Sequence, residues 1–429
     1  MEKAPTVREG VLELLLRCEA AGQYANIALD TALKRGHLEG PDRALFTALF
    51  YAVTEHRITL DAVIDHLSSI PPSAIERRVR MALRLGLAQL LYFDRVPDHA
   101  AVSETVSLAP KRSRGFANAI LREFLRTGKQ IPYPDKKTDP FAYLSVRYSV
   151  PTSLAERFCA IFGIEGAARE LAAFETRSGN TVRVNTARIS REEWLTRFGG
   201  TPTKYAPNGV HIRDGQQLRE ALAAGLCFVQ DEASQIATEA LNAHGHAVLD
   251  LCAAPGSKSF GAALSGATEV QSFDLHENKL SLIRRGAEAL GITHLTASAG
   301  DARRASPETV GVFPRVICDV PCSGYGVLAK KPDIRYKELT AAVGLPPIQR
   351  DILNAAATCV APGGVLVYST CTLLPEENEA QIEAFLAAHP DFSLAPFAVG
   401  ALACDGMITL TPAQHGTDGF FIAKLQKGQ

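Results

Sequence analysis

The part of the chain that most limits its possible folds is the stretch from about residue 236 to the C-terminus. Short apolar runs alternate there with segments of helical periodicity, and this alternation is typical of a parallel sheet flanked by helices. The predicted strands are Ala247–Leu251, Glu269–Asp274, Leu295–Ala299, Arg315–Asp319, Gly364–Ser369 and Gly419–Leu425. Helices are predicted between them, for example over Lys279–Leu290 and Ile348–Val360. Ligands bind such sheets at the carboxyl edge of the strands, so we look for chemistry there.

The rest of the chain has a different pattern. Residues 6 to about 128 have apolar positions at helical spacing and almost no strand signals, which predicts a bundle of helices. Prolines and glycines between 128 and 151 predict a linker. Two short alternating runs, 180–185 and 209–212, predict strands of a small α+β insert. We therefore expect an all-α domain over 1–140, a small α+β domain over 141–235 and an α/β domain over 236–429.

Composition excludes several classes of protein. The chain has no run of 18 apolar residues and no apolar signal segment after Met1, so we expect a cytoplasmic protein with no membrane association. Its nine cysteines are scattered without a C-x-x-C pair, which argues against both a disulfide framework and a zinc site. We expect no bound metal and a monomer.

The formal net charge of −1 gives no global indication of nucleic-acid binding. One segment, from Lys111 to Lys137, is locally basic, with only Glu123 and Asp135 as acids. It is either a solvated helix face or a patch that contacts phosphates. Its basic residues are Lys111, Arg112, Arg114, Arg122, Arg126, Lys129, Lys136 and Lys137.

Two cysteines follow predicted strands of the α/β region. Cys322 comes after Val316–Val320 and Pro321, and Cys371 follows directly after Val365–Thr370. If both strands are parallel members of one sheet, both thiols emerge at its carboxyl edge. Two thiols at a ligand edge, without metal-ligand spacing, suggest covalent chemistry. The alternative for any cysteine is a small buried hydrophobe, which suits Cys318 and Cys359 inside apolar elements and also Cys252.

The loop after the first strand of this region is rich in small residues, which let a ligand approach the backbone closely. It is neither a dinucleotide fingerprint nor a P-loop. The residues of this candidate cofactor loop are Cys252, Ala253, Ala254, Pro255, Gly256, Ser257 and Lys258.

Acids lie at or near four successive strand ends: Asp250, Asp274, Asp301 and Asp319. Asp274 is placed to accept hydrogen bonds from ribose hydroxyls. Buried carboxylates are costly, so four of them favour a ligand; the alternative for any one of them is capping of the next helix. A ligand with a ribose and a base but no need for a phosphate cradle is indicated, and S-adenosylmethionine fits that description.

These motifs resemble the Nop/Sun family of RNA cytosine-5 methyltransferases. The resemblance rests on residues 252–258, 319–324, 331–335 and 369–378, with 229–234 and 418–421 in support. The N-terminal segments 23–26, 42–45, 83–86, 89–91 and 114–122 resemble the NusB-like RNA-binding domain of the bacterial Sun/Fmu branch. The resemblance implies a NusB-like helical domain, an RRM-like insert and a Rossmann-like catalytic domain.

The same resemblance implies methyl transfer from S-adenosylmethionine to C5 of a cytosine in 16S rRNA, cytosine 967. The RNA would be free or in an early assembly intermediate. Cys371 would be the nucleophile and Cys322 would assist product release, whereas the residues alone leave their order open. Asp319 would hydrogen-bond the cytosine edge and contact the cofactor with Asp274 and Asp301. Lys258 would contact the base or lower a cysteine pKa, unless it is a surface helix lysine.

The chain departs from the family pattern at three positions. Ser257 replaces a usual glycine, Lys279 a usual arginine, and Tyr325 a smaller residue that could reshape the base pocket. Basic residues near the motifs are expected to guide the RNA backbone: Arg303, Arg304, Lys330, Lys331 and Arg335. Three alternatives stay open: C5 methylation at another rRNA or tRNA site, an RNA-binding protein without catalysis, and a DNA or small-molecule methyltransferase.

Overall fold

In a computed structural model, which describes residues 6–21, 25–36, 38–176 and 179–429, the chain divides into two units. The first comprises Met1–Glu175 and Lys330–Lys337, and the second comprises Thr176–Ala329 and Glu338–Gln429. The three domain boundaries expected above stay predictions. In the described ranges, no helix combines the length and the apolar character that a membrane crossing requires.

The first unit is built from helices around one apolar core, as the periodicity predicts. Its centre is the fifth helix, where nearly every residue from Val79 to Leu90 is buried. Arg84 lies among these apolar residues, and its guanidinium forms ion pairs with Asp61 (2.7 Å) and Glu19 (3.1 Å). The helices are α1 Val7–Ala21, α2 Ala25–Arg35, α3 Gly40–Glu55, α4 Arg57–Leu67, α5 Arg77–Tyr92, α6 Asp98–Leu108, α7 Arg114–Arg126, α8 Pro140–Tyr148 and α9 Thr152–Ala173.

The predicted linker is wrong for part of its length, because α8 lies inside it. Asp139 caps this helix by accepting a hydrogen bond from the backbone N–H of Ala142 (2.9 Å). Pro140 sits in the first turn, where its missing N–H has no cost. The proline that we interpret as a chain break thus starts a helix, which ends at Ser149 in the left-handed region.

The segment Lys330–Lys337 belongs to this helical unit although it follows the Cys322 motif in sequence. Arg335 is buried and donates hydrogen bonds to the carbonyl oxygens of Glu55 (3.0 Å) and Tyr148 (3.3 Å). The prediction that Arg335 guides RNA is therefore wrong, because its guanidinium is buried in the unit. Lys330 and Lys331 are exposed.

The second unit starts with a small antiparallel sheet. Its strands are β1 Asn180–Val184, β2 Thr201–Pro202, β3 Gly209–Ile212 and β4 Cys227–Val229, in the order β2-β3-β1-β4. Helices α10 Arg191–Phe198 and α11 Gly215–Ala223 cover one face around Trp194. The other face carries buried Arg183, which pairs with Glu239, and Phe228, whose ring meets Phe260 edge-on at 5.7 Å. That face packs against the rest of the unit and is not open to stack on bases.

The large sheet follows the predicted alternation. Five parallel strands take the order β7-β6-β5-β8-β9, and the last strand, β14, joins β9 antiparallel. The strands are β5 Ala247–Asp250, β6 Glu269–Asp274, β7 Leu295–Ala299, β8 Phe313–Asp319, β9 Val360–Thr370, β10 Phe392–Leu394, β11 Phe397–Val399, β12 Leu402–Cys404, β13 Met407–Leu410 and β14 Phe420–Lys427. The helices are α12 Glu232–Ala240, α13 Ser257–Leu264, α14 Glu277–Leu290, α15 Pro307–Val310, α16 Leu345–Thr358, α17 Glu379–Ala388 and α18 Pro412–His415.

Alternate residues of the central strands enter two separate cores. Ile317 and Val367 belong to the core under α12, α13 and α14, whereas Val316 and Leu366 belong to the core under α16 and α17. Both faces are thus covered, as a doubly wound sheet requires. The strand order reverses between β5 and β8, so the loops after these strands open into the crevice where ligands bind.

Candidate active site

The two motif cysteines lie side by side at the carboxyl edge of the sheet. β8 ends at Asp319 and its parallel neighbour β9 ends at Thr370, so the loops that follow emerge together. The Sγ atoms of Cys322 and Cys371 are 3.2 Å apart, and the backbone N–H of Cys371 points at Cys322 Sγ from 3.3 Å. Sequence spacing of 49 residues gives no indication of so short a distance; the adjacency of the two strands produces it.

The surroundings of Cys322 raise the pKa of its thiol. The hydrogen bond with Cys371 raises the pKa of the Cys322 thiol well above its ordinary value, and burial and the charges of Glu377 and Asp319 act in the same direction. The amide of Cys371 works against this, but sulfur is a weak acceptor. Either thiol can be the donor in the contact between the two sulfurs.

Lys258 and Asp319 form a buried ion pair next to the thiols. Lys258 Nζ donates to Asp319 Oδ2 (2.6 Å) and to Ser234 Oγ (2.9 Å), and Ser369 Oγ donates to Asp319 Oδ1 (2.8 Å). Lys258 is 5% exposed, so the alternative of a surface lysine is wrong. The Lys258 ammonium group thus pairs with the Asp319 carboxylate and not with a cysteine sulfur.

The small-residue loop between β5 and α13 leaves backbone open to a ligand. Gly256 has a φ of +115°, in the region that favours glycine, and a Cβ there would overlap with the ring of Phe260. Asp274 Oδ2 accepts from the backbone N–H of Ala254 (3.0 Å) and so ties the loop to the end of β6. Ser257 begins α13 with a negative φ, so its replacement of glycine is tolerated.

The other residues of the loop are packed. Cys252 is half-buried, and burial raises the pKa of its thiol well above the ordinary value. Ala253 is buried, and its N–H donates to the carbonyl of Phe273 (3.0 Å); Pro255 is exposed at the tip. The Asp274 carboxylate lies on the next strand, beside the backbone of this loop and at the edge of the crevice. This arrangement fits the adenosyl part of S-adenosylmethionine.

The four strand-end acids have different roles in the fold. Asp250 is fully buried, accepts from Ser259 Oγ (2.7 Å), and has its pKa raised to about 6 by burial. Asp301 caps the short 3-10 turn after β7 and pairs with Arg303 (2.6 Å), so the capping alternative applies to it. Asp274 and Asp319 are the two whose carboxylates face the crevice loops.

Several other predictions can be compared with the structure. Cys318 and Cys359 are completely buried, as expected of small hydrophobes. Tyr325 is also buried, and burial raises its pKa to about 12. Across the described ranges, no group of three or more metal-ligating side chains occurs.

The sequence did not predict the buried residues that hydrogen-bond to the two cysteine loops and to the ion pair. Glu377 and Asn378 are completely buried and bond to the two cysteine loops, and Ser234 and Ser369 bond to the Lys258–Asp319 pair. The run Pro375-Glu376-Glu377-Asn378 is part of a family motif, but its polar character alone does not distinguish a surface turn from a buried support.

Comparisons with known proteins decide the family. The family described as 16S rRNA methyltransferase RsmB/F matches residues 238–426, and the NusB family matches residues 5–126. A protein of Bacillus subtilis named probable ribosomal RNA small subunit methyltransferase B is 34% identical over 99% of both chains. This chain belongs to the RsmB/F family. The ribosomal RNA small subunit methyltransferase B of Klebsiella pneumoniae subsp. pneumoniae is also 34% identical, over 90% of both chains.

Solved structures agree with the RsmB/F assignment. The crystal structure of PH0851 is 26% identical, covers all of both chains and superposes with a TM-score of 0.78. A methyltransferase homologue from Pyrococcus horikoshii is 27% identical over 68% of this chain and 99% of its own, with a TM-score of 0.59. The NusB-like helical fold, the Rossmann-like methyltransferase fold and the S-adenosylmethionine cofactor predicted from the sequence are confirmed at the level of the family.

Proposed function

We propose that the protein transfers a methyl group from S-adenosylmethionine to C5 of a cytosine in 16S rRNA through a covalent adduct with Cys371. The observation that carries the proposal is the thiol pair, with its sulfurs 3.2 Å apart and beside the Lys258–Asp319 ion pair. Two thiols and a carboxylate at the ligand edge of a methyltransferase sheet match what C5 chemistry on cytosine needs.

C5 of cytosine is a poor nucleophile, and covalent catalysis removes that obstacle. The Cys371 thiolate adds to C6, and the electrons of the C5–C6 double bond move into the ring and make C5 enamine-like. S-adenosylmethionine, when bound, supplies the electrophilic methyl group. C5 bonds to that methyl carbon as the methyl–sulfur bond breaks, and S-adenosylhomocysteine is the leaving group. Water then takes the C5 proton, and the electrons of that C–H bond restore the double bond as the Cys371 sulfur leaves C6.

The Cys322 thiol has a role in the last step. Its sulfur lies 3.2 Å from Cys371 Sγ, close enough for its S–H to donate to the departing sulfur as the S–C6 bond breaks. The family resemblance implies the order in which Cys371 attacks and Cys322 assists release, and the raised pKa of the Cys322 thiol agrees with that order.

Asp319 is suited to hold the cytosine. Its side chain is 32% exposed while its oxygens accept from Lys258 and Ser369, so one face of the carboxylate stays open to the N3/N4 edge of a base. The ion pair with Lys258 holds the carboxylate in place. The target base must leave its stack to reach the thiols.

The test uses labelled S-adenosylmethionine and 16S rRNA from a strain that lacks this modification, followed by sequencing that distinguishes C5-methylcytosine. We expect one C5-methylated position, cytosine 967 or its equivalent, with the wild-type protein and none with Cys371→Ala. A label that appears only at another atom or only in another RNA would contradict the proposal.

A further inference from the structure

Two consecutive buried residues, Glu377 and Asn378, are hydrogen-bonded to the loops of both cysteines. They follow Pro375 at the end of a short 3-10 turn, and neither side chain is exposed. A buried carboxyl and a buried amide are costly unless they are hydrogen-bonded, and native structures keep such groups where they hold something in place. We call this pair the thiol brace.

Glu377 holds the Cys322 loop. Its Oε2 accepts from the backbone N–H of Ser323 (3.0 Å) and from Gln349 Nε2 (2.8 Å). Gln349 Nε2 also donates to the carbonyl of Pro321 (2.9 Å), so the residues on both sides of Cys322 are anchored. The carbonyl of Glu377 in turn accepts from the Tyr368 hydroxyl (2.7 Å), which ties the brace to β9.

Asn378 holds the Cys371 loop in the same way. Its Oδ1 accepts from Thr370 Oγ1 (2.6 Å), and its Nδ2 donates to the carbonyl of Thr372 (3.0 Å). These are the two residues that flank Cys371. The hydroxyls of Ser323 and Thr372 are 2.7 Å apart and link the two loops directly.

The thiol brace therefore bonds directly to Ser323 beside Cys322 and to both neighbours of Cys371, and it reaches Pro321 through Gln349. The loops cannot move apart without breaking at least one buried hydrogen bond. We propose that Glu377 and Asn378 are positioning residues that fix the separation of the Cys322 and Cys371 sulfurs. In the proposed reaction, on which this rests, the separation decides whether Cys322 can reach the sulfur that leaves C6.

A trivalent arsenical, phenylarsine oxide, reports this separation without RNA or cofactor. It bridges two neighbouring thiols: arsenic forms two As–S bonds, and its oxygen leaves as water with the two thiol protons. We expect the wild-type protein to take up one arsenical at this pair and Cys322→Ser or Cys371→Ser to lose that uptake. Uptake that survives both serine variants would overturn the proposal, because the probe would then not report this pair.

The test variants are Glu377→Met and Asn378→Asp, which keep the approximate size of the side chain. A methionine at 377 has no oxygen to accept from the Ser323 N–H and the Gln349 amide, and an aspartate at 378 cannot donate to the Thr372 carbonyl. We expect arsenical affinity to fall by about tenfold in each, because buried hydrogen bonds to one cysteine loop are lost. Glu383→Met is the matched control, since Glu383 is exposed on the following helix, α17.

A milder variant, Ser323→Ala, removes only the hydroxyl link between the loops and keeps the backbone N–H that Glu377 accepts. We expect a loss of about threefold from it, so the test stands even if a brace variant fails to fold. In every folded variant, kcat should fall with the arsenical affinity while KM for RNA stays unchanged.

Arsenical affinity that equals that of wild type in Glu377→Met, Asn378→Asp and Ser323→Ala would overturn the proposal, whatever their activity. A wild-type protein that binds the arsenical but makes no C5-methylcytosine would instead contradict only the proposed function.

Discussion

The two cysteine loops start from equivalent positions and place chemically identical groups in different surroundings. Each follows a parallel strand at the same sheet edge, and each is flanked by residues that the thiol brace holds. The Cys322 sulfur, however, receives the backbone N–H of Cys371 and faces the charges of Asp319 and Glu377. The contact with Cys371, burial and these charges raise the pKa of the Cys322 thiol, although both loops start at equivalent positions of the sheet.

The Cys322 loop also makes backbone hydrogen bonds to the Cys371 loop and to Gly419. Gly326 donates to the carbonyl of Cys371 (2.9 Å) and accepts from the N–H of Gly419 (2.8 Å). A Cβ at Gly326 would overlap with the carbonyl oxygen of Gly419. The loop that carries the proposed release thiol is thus fixed by backbone contacts, and the difference between the loops can be tested.

The largest effect is expected from Cys371→Ala. Loss of the proposed nucleophile removes the covalent route, so methylation of 16S rRNA should fall by at least about a thousandfold. Turnover with labelled S-adenosylmethionine measures it, and Cys159→Ala in the helical unit is the control. Activity close to wild type would mean that Cys371 is not the nucleophile and that the roles of the two cysteines are exchanged.

Cys322→Ala should separate attack from release. The adduct still forms at Cys371, but no thiol stabilises the departing sulfur, so a covalent protein–RNA complex should accumulate that survives denaturing electrophoresis. The double variant with Cys371→Ala should form none. If the adduct builds up in Cys371→Ala alone, the roles of the two thiols are exchanged.

Asp319→Asn is expected to weaken the site that both loops share. Its amide can neither pair with the Lys258 ammonium as a carboxylate does nor hold a cationic adduct, so kcat should fall by about a hundredfold. Lys258→Met should have a comparable effect, and the double variant should lose little more, because the pair acts as one unit. Lys279→Met, on an exposed position of α14, is the control; additive losses would contradict the coupling.

The smallest effect on turnover is expected at Asp250, an edge acid with a structural role. Its folded pKa of about 6 lies above the ordinary value of 3.8, so the folded state keeps a proton that the unfolded chain releases. Stability contributed by this group is therefore lost as pH rises from about 4 to 6, by about 3 kcal/mol. Asp250→Asn does not titrate, and its free energy of unfolding relative to wild type should rise over that range.

Unfolding experiments at pH 4 and pH 7 measure this difference. Asp301→Asn is the control, because its hydrogen bond with Arg303 holds the pKa of Asp301 below its ordinary value and gives the opposite sign. A flat difference for Asp250→Asn would show that folding does not raise the pKa of this carboxyl.

Much of the fold follows from local pattern. Strands β6, β7 and β3 have the predicted bounds, and α14 begins two residues before its predicted start, because periodicity and caps are local. The helix α8 was missed, since a proline after an aspartate starts a helix as readily as it ends one. The short strands β10–β13 were missed because each has only three or four residues, too few for an alternating pattern, and depends on pairing with a partner strand.

The sequence by itself determined the chemistry: two cysteines after strands, a loop of small residues and a series of aspartates, all readable because each is local. Only the tertiary structure decided how they meet. Whether β8 and β9 are neighbours sets the sulfurs 3.2 Å apart. Burial raises the pKa of Asp250, which has a structural role. Glu377 and Asn378 support both cysteine loops because the fold places their side chains next to these loops. Adjacency and burial depend on the whole fold, and no single segment encodes them.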